Sequence, residues 1–291
     1  MLRLVARLLD LMPRRSSPLT LPDRRQQASI AEEELLERIA ERWRRYRAAE
    51  IDMTISPFDD MYSTDHPKPL ETYAHAGRLA LALISESMLL ARRTEFARIL
   101  DLPCGGGRVT RQLVAFFPDA TIDVNDIERA KLDFVATQFR AQPIEVAVDF
   151  ADPPTERYDL IFVGSLVTHL NETLYRRCLD WLIAALAPGG VLIVTMHGRQ
   201  NVQKALTALS RRKKLQLVWR RFRLERRLEA SGFVFWPSLQ QQHEKYGPTY
   251  GTSFNTPAWA AGLIERRKDA VILGLKEGTW GSQDALIVQK L

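Results

Sequence analysis

The chain has 291 residues, of which 46% are apolar and 26% charged, so it is long enough to bury a sizeable core in one large domain. Its two cysteines, Cys104 and Cys178, offer neither a disulfide framework nor a metal-ligand spacing, which favours a reducing cytoplasm. The net charge of +6 permits an acidic partner such as a phosphorylated glycan, an anionic membrane surface or a nucleic acid, without choosing among them.

The first fifteen residues, MLRLVARLLDLMPRR, place apolar side chains on one helical face between arginines. This run is too short and too interrupted to span a bilayer, and it lacks a small-residue cleavage site. Two interpretations stay open for residues 1–15: peripheral contact with the inner face of a membrane, or packing against the protein's own domain or a second subunit. The oligomeric state stays open with them.

A helical extension follows a linker rich in proline and serine. Apolar residues at helical spacing predict an amphipathic helix over 29–49 and a second helix over 70–91. Between them, residues 52–70 read as a loop that carries Asp59, Asp60, Tyr62 and His66. This loop is interpreted either as a lid over a ligand or as a solvated connection.

The central pattern is the stretch RILDLPCGGGRV over residues 98–109. A short apolar run ends near Asp101, three consecutive glycines follow, and apolar residues then resume at helical spacing. The pattern predicts a strand, a glycine turn and a helix over 109–117, which is the opening of a nucleotide-type α/β unit.

The ligand of this turn is indicated by charge. A phosphate-binding loop needs Lys and a hydroxyl residue after its last glycine, where this chain has Arg108 and Val109. The glycines also lack the G-x-G-x-x-G spacing of dinucleotide sites. A carboxylate at Asp101 repels a pyrophosphate and attracts an ammonium group. S-adenosylmethionine carries an amino group and a sulfonium but no phosphate, so the loop favours this cofactor.

The stretch DLPCGGG resembles the first motif of class I S-adenosylmethionine-dependent methyltransferases, and the resemblance extends over about residues 98–198. It implies a Rossmann-like, doubly wound α/β fold with a mostly parallel seven-stranded sheet and an antiparallel last strand. It also implies that the first motif contacts the cofactor through Asp101, Pro103, Cys104, Gly105, Gly106 and Gly107.

The second and third strands are predicted to end in further cofactor contacts. Asp126 follows a strand over 120–125, at the spacing from the glycine loop that suits an acceptor for both ribose hydroxyls. The resemblance implies that Ile127 borders the adenine. A third strand over 144–148 closes at Asp149 and Phe150, and the resemblance implies that Asp149 accepts the exocyclic amine.

The remaining core elements follow in the same alternation. A fourth strand over 158–163 leads to Ser165 in the run GSLVTHL, which resembles the family's fourth motif and implies a cofactor contact. A helix over 172–186, a Pro-Gly-Gly turn and a fifth strand over 191–196 come next. A final helix over 257–266 and strands over 270–275 and 285–288 complete the sheet.

The segment 204–227 contains ten Lys or Arg and is interpreted either as a binding surface for an anionic substrate or as a solvated helix face.

The predictions divide the chain into four segments. The predicted segments are an N-terminal helical extension and lid (1–95), a cofactor-binding core (96–198), a basic insertion after the fifth strand (199–254) and a completion of the sheet (255–291).

The predicted reaction is methylation of a sugar, glycan or glycolipid hydroxyl, because the runs SPFDDMY, HGR, YGTSF and TWGSQDALIVQK resemble a bacterial glycan-associated subgroup. A sugar hydroxyl needs a general base, and His197 after the fifth strand is the first candidate, ahead of His169 and His243. No metal is expected. A cofactor-binding module without turnover and a nucleic-acid methyltransferase are the alternatives, although no base-stacking platform supports the second.

Overall fold

The computed structural model describes residues 32–210, 224–238, 246–247 and 249–291. The predictions made for residues 1–15, for most of the basic segment and for His243 therefore lie outside the described residues. Within the described part, no helix is both long and apolar enough to cross a membrane.

A seven-stranded sheet forms the centre of the molecule, in the order β3-β2-β1-β4-β5-β9-β8. The first five strands in this order are parallel to one another, and β9 is antiparallel to both of its neighbours, β5 and β8. This topology confirms the predicted Rossmann-like sheet. Its strands are β1 (Arg98–Asp101), β2 (Thr121–Val124), β3 (Gln142–Pro143), β4 (Tyr158–Val163), β5 (Leu186–Met196), β8 (Ala270–Trp280) and β9 (Gln283–Lys290).

Helices cover the sheet and precede its first strand. Asn171 caps the helix after β4, because its side chain accepts a hydrogen bond of 3.0 Å from the Leu174 N–H. Residues 224–231 are also helical. The helices are α1 (Glu32–Ala48), α2 (Pro69–Ala91), α3 (Thr110–Phe116), α4 (Arg129–Phe139), α5 (Glu172–Ala185), α6 (Arg199–Ser210) and α7 (Pro257–Glu265), with a 3₁₀ turn at Leu166–His169.

The two central strands are buried on both faces. Ile99 and Leu100 of β1, like Leu160 and Ile161 of β4, have no exposed surface. A parallel strand covered by helices on both sides requires such a continuous apolar run. The run in the sequence therefore placed both strands correctly, and it fixes where their carboxyl ends emerge.

The third strand was predicted too late in the chain. It occupies Gln142–Pro143 instead of 144–148. The Ile144 N–H still donates to the Val124 carbonyl at 2.9 Å, but the Ile144 carbonyl accepts the Asn125 side chain at 2.8 Å. That side-chain bond takes the place of a continuing ladder, so the chain leaves the sheet and Asp149 lies in a turn.

A second, two-stranded antiparallel sheet lies within the segment that the sequence indicated only as an insertion. It consists of β6 (Phe233–Pro237) and β7 (Gly251–Asn255). Val234 and Phe254 from its strands pack with Leu206 of α6 in a separate small apolar cluster. The apolar run FVFWP was the signal for this sheet.

Candidate active site

A cavity of about 1070 Å³ opens at the carboxyl ends of β1, β2 and β4. Parallel strands present these ends at one edge of the sheet, where ligands of α/β folds bind. The structure brings most of the residues predicted to contact the cofactor into the lining: Asp101, Pro103, Cys104, Gly105, Gly106, Asp126, Ile127, Asp149, Phe150 and Ser165.

The glycine turn presents backbone directly to this cavity. Gly105 has a φ of +54°, and no atom lies within 4 Å of the position that a Cβ would take there. The Gly105 N–H donates to Oδ2 of Asp126 at 2.9 Å, and the Cys104 N–H donates to the Asn125 carbonyl at 2.9 Å. The ends of β1 and β2 are thereby held together beneath an open surface.

The other two glycines are required by packing. A Cβ on Gly106 would lie 2.1 Å from Oδ2 of Asp59, which approaches from the loop before α2. Gly107 has a φ of +81°, and a Cβ there would lie 2.4 Å from the ring of Phe139. Gly107 is not among the described lining residues, so the structure shows it packing α4 against the turn.

Asp101 is a buried carboxyl group at the end of β1, with 1% of its surface exposed. Burial raises its pKa to about 7, although a hydrogen bond of 2.7 Å from the Thr110 hydroxyl and the charge of Arg108 lower it. A cation bound beside such a buried carboxyl group stabilises its ionised form. The site therefore offers an ammonium group a partner.

Asp126 is held by two backbone donors. Besides the Gly105 N–H, its Oδ1 accepts the Glu128 N–H at 2.8 Å. Burial raises the pKa of Asp126 and these two bonds oppose the rise. Each carboxylate oxygen can accept a further hydrogen bond, which suits a pair of hydroxyl groups.

The loop between α1 and α2 forms one wall of the cavity. Asp59, Asp60 and Met61 line the cavity. The Tyr73 hydroxyl donates to the Asp59 carboxylate, and Lys131 donates to Asp60 at 2.9 Å. Two of the polar residues predicted for a lid, Asp59 and Asp60, thus face the ligand space.

His169 is the histidine that the described lining contains. Its Nδ1 lies 3.1 Å from the Gly251 carbonyl oxygen, which can only accept, so Nδ1 carries the hydrogen and Nε2 is the acceptor. The ring stacks on Tyr250 with 4.7 Å between centroids. Burial lowers the pKa of His169, which keeps the imidazole neutral at pH 7.

His197, the first candidate base, is absent from the described lining of the cavity. Its Nδ1 is 3.2 Å from the Ser253 carbonyl oxygen, and its ring centroid lies 5.6 Å from that of Phe254. Burial lowers its pKa to about 4. A catalytic role for His197 stays a prediction.

Ser165 is fixed by a closed set of hydrogen bonds. Its N–H donates to Oγ1 of Thr195 at 2.8 Å, and that hydroxyl donates to Oε1 of Gln283 at 2.7 Å. Nε2 of Gln283 in turn donates a hydrogen bond to Oγ of Ser165 at 2.6 Å. The glutamine of the run TWGSQD therefore positions a residue of the cavity floor.

Several lining residues were missed by the sequence-based assignment of site residues. Arg108 directly follows the glycine turn and was considered only as a replacement for a phosphate-binding lysine; the others lie outside the strand-end motifs and reach the cavity through tertiary packing, so spacing gave no signal for them. The tyrosines of the run KYGPTYG were noted only for their position near the sheet edge. These residues are Arg108, Lys131, Arg177, Tyr246, Tyr250 and Trp280.

A Rossmann-like sheet with a glycine turn and acids at successive strand ends is typical of class I S-adenosylmethionine-dependent methyltransferases. Residues 73–238, more than half of the chain, match the family described as a methyltransferase domain, and the chain belongs to that family. S-adenosylmethionine is the cofactor of this class. The open space above Gly105 leaves room for the cofactor to lie against the backbone of the turn. The buried carboxyl group of Asp101 fits the cofactor's ammonium group.

The chain is similar to enzymes with different acceptors. It is 34% identical over 137 residues to trans-aconitate 2-methyltransferase of Acidovorax sp. (strain JS42), covering 45% of this chain and 50% of the relative. It is 26% identical over 132 residues to malonyl-[acyl-carrier protein] O-methyltransferase of Haemophilus ducreyi, covering 43% and 50%. The matched region spans about half the length of these relatives.

Solved structures share the fold at low identity. The 1,6-didemethyltoxoflavin-N1-methyltransferase of Burkholderia thailandensis has a TM-score of 0.51 at 12% identity, covering 90% of this chain and 91% of that one. An S-adenosylmethionine-dependent methyltransferase of Clostridium acetobutylicum has a TM-score of 0.50 at 12% identity, covering 77% and 95%.

Proposed function

We propose that the protein transfers a methyl group from S-adenosylmethionine to a hydroxyl group of a small acceptor, with a sugar, glycan or glycolipid as the preferred substrate class. The observation that carries this proposal is the position of the His169 imidazole in the cavity wall, with Nδ1 3.1 Å from the Gly251 carbonyl oxygen, an arrangement that leaves Nε2 as the acceptor. A hydroxyl nucleophile needs such a base at neutral pH.

The strand-end residues hold the cofactor in this proposal. Asp101 receives the ammonium group, and Asp126 receives the ribose hydroxyls. Ile127, Asp149 and Phe150 enclose the adenine. The backbone of the glycine turn, with Pro103, Cys104, Gly105 and Gly106, lies against the nucleoside and methionine parts, and Ser165 closes the floor.

The bound cofactor supplies an electrophilic methyl group on a sulfonium. His169 would accept the acceptor's hydroxyl proton at Nε2 while the hydroxyl oxygen takes up that methyl group. The Gly251 carbonyl stabilises the imidazolium through Nδ1–H. Because the displacement is in line, most of the rate enhancement comes from holding the oxygen close to the methyl group.

A carboxylate acceptor is the second candidate, and Arg177 favours it. Arg177 lines the cavity from α5 and is exposed, so its cation can reach an anionic acceptor. The two relatives above are named for substrates of acidic character. A carboxylate is already ionised at pH 7, however, so its methylation leaves the placement of His169 unexplained.

A radiolabelled methyl-transfer screen against glycan, lipid and RNA fractions tests the proposal. We expect alkali-stable label in the glycan or glycolipid fraction, because an ether survives alkali whereas a methyl ester releases methanol. Alkali-labile label would show carboxylate methylation. Cofactor binding without transfer to any fraction would show a binding module, and label in RNA would show a nucleic-acid methyltransferase.

A further inference from the structure

The edge of β7 that does not pair with β6 contacts two histidines through its backbone. The carbonyl groups of Gly251 and Ser253 lie two residues apart in the strand, so both point to this edge. Nδ1 of His169 is 3.1 Å from the first carbonyl oxygen, and Nδ1 of His197 is 3.2 Å from the second. The Asn255 N–H donates to the His197 carbonyl at 3.1 Å along the same edge. The strand therefore favours hydrogen on Nδ1 in both rings.

The two histidines differ in the aromatic ring beside them. The ring of His169 is nearly parallel to that of Tyr250, with 10° between the planes and 4.7 Å between the centroids. The ring of His197 is tilted by 31° against that of Phe254, with 5.6 Å between the centroids. A stacked imidazole loses this contact when it rotates about its side-chain bond. The stack therefore fixes the plane in which both nitrogens of His169 lie.

Tyr250 is itself anchored to the rest of the site. Its backbone pairs with Leu170, the neighbour of His169, in an isolated antiparallel bridge. Its ring packs on that of Tyr246, with 4.5 Å between the centroids. The Tyr246 hydroxyl donates to Oε1 of Glu128 at 3.0 Å. The ring that stacks on His169 is thus tied to the turn after β2.

We propose that Tyr250 is a positioning residue for the base, because its ring holds the His169 imidazole with Nδ1 on the Gly251 carbonyl and Nε2 open to the hydroxyl group of the acceptor. This inference rests on the proposed function, in which His169 is the base. A neutral histidine in water mostly carries its hydrogen on Nε2, and that tautomer cannot take a proton there. The stacked ring and the carbonyl together select the other tautomer.

NMR of the imidazole nitrogens in isotope-labelled protein tests the inference without cofactor or acceptor. At about pH 8 the rings are neutral, and protonated and unprotonated nitrogens have widely separated shifts. His169→Gln identifies the His169 signals by their loss. Tyr250→Leu should lower the ratio of Nδ1–H to Nε2–H in His169 by about 2- to 10-fold, the range for an aromatic pair. Tyr250→Phe keeps the ring and should keep the wild-type ratio.

Two controls separate the stack from general damage. His197 is an internal control, because its Nδ1 contacts the same strand and its tautomer should not change in Tyr250→Leu. Tyr62→Leu is the matched variant, because Tyr62 packs on Tyr73 at 5.9 Å between centroids and should leave the His169 signals unchanged. An unchanged His169 ratio in Tyr250→Leu would overturn the inference. Loss of Nδ1–H from both histidines would also overturn it, since Tyr250 would then only hold the strand in place.

Methyl transfer to the fraction that takes label distinguishes this inference from the proposed function. Tyr250→Leu should lower kcat by about the same 2- to 10-fold, and Tyr250→Phe should restore it. Wild-type kcat in His169→Gln would overturn the proposed base, whatever the NMR ratio shows. A lower kcat in His169→Gln with no change of ratio in Tyr250→Leu would overturn the role of Tyr250 alone.

Discussion

At the scale of single residues, the site depends on a carboxyl group whose burial is only useful with a ligand present. Asp101 is fully enclosed, and burial raises its pKa to about 7. Its counterpart Asp126 is tied to two backbone N–H groups and is set for hydroxyl partners. The two acids therefore have different surroundings, and their different roles toward the cofactor stay a prediction made from their positions at the ends of β1 and β2.

The raised pKa of Asp101 predicts a pH-dependent cofactor affinity. The ionised carboxylate binds the ammonium, so a proton competes with the cofactor as the pH falls below about 7. Affinity for S-adenosylmethionine should weaken by up to about tenfold per pH unit there. Asp101→Asn should lower affinity by about 10- to 100-fold and flatten the profile. Calorimetry from about pH 5.5 to 8.5 measures both, and a flat wild-type profile would contradict the role.

The same residue predicts a stability effect without cofactor. The folded-state pKa of Asp101 lies above its ordinary value, so its favourable contribution is complete below about pH 4 and is lost as the pH rises through about 7. Asp101→Asn should therefore raise the Tm of the cofactor-free protein at about pH 8 and change it less at about pH 5. A Tm lowered equally at both values would argue against a buried, destabilising carboxylate.

Two histidines test the assignment of the base. His169→Gln should lower kcat by about 100- to 10,000-fold without changing the Kd for S-adenosylmethionine, because Gln keeps a hydrogen bond but cannot take a proton. His197→Gln is the matched variant, because His197 also has Nδ1 beside a backbone carbonyl but is not among the described lining residues. Should His197→Gln prove the more damaging variant for kcat at unchanged Kd, the sequence-based choice of His197 would stand instead.

At the scale of elements, the glycine turn combines two functions in adjacent residues. Gly105 faces the ligand space, whereas Gly107 lets α4 pack closely against the turn through Phe139. The sequence pattern showed three equivalent glycines. Only the tertiary contacts distinguish them, because Phe139 comes from α4, the second helix after the turn.

A pair of alanine variants separates these roles. Gly105→Ala should cost about 1 to 2 kcal/mol for a residue at positive φ and should weaken S-adenosylmethionine binding, since its methyl group enters the cavity. Gly107→Ala meets the Phe139 ring as well, so it should cost more stability and leave the affinity of the folded protein within a few-fold. Urea unfolding and calorimetry measure the two effects. The reverse pattern would mean that Gly107, not Gly105, touches the cofactor.

At the scale of the whole molecule, the sequence was sufficient for the parallel core and insufficient for the edge and the cover. β1 and β4 were predicted because continuous apolar runs are required of strands buried on both faces. β3 was misplaced because an Asn125 side-chain bond, not an apolar pattern, decides where this edge strand ends. Trp280 is fixed at the site by a hydrogen bond to Ala76, which lies 204 residues away in the sequence. Local sequence spacing cannot predict such a contact.

Calorimetric titration of the purified protein with S-adenosylmethionine, NAD and ATP tests the central claim most directly. We expect S-adenosylmethionine alone to bind, and we expect Asp126→Ala to abolish that binding while circular dichroism shows an unchanged fold. Binding of NAD or ATP in place of S-adenosylmethionine, or normal S-adenosylmethionine binding by Asp126→Ala, would contradict the assignment of this cavity.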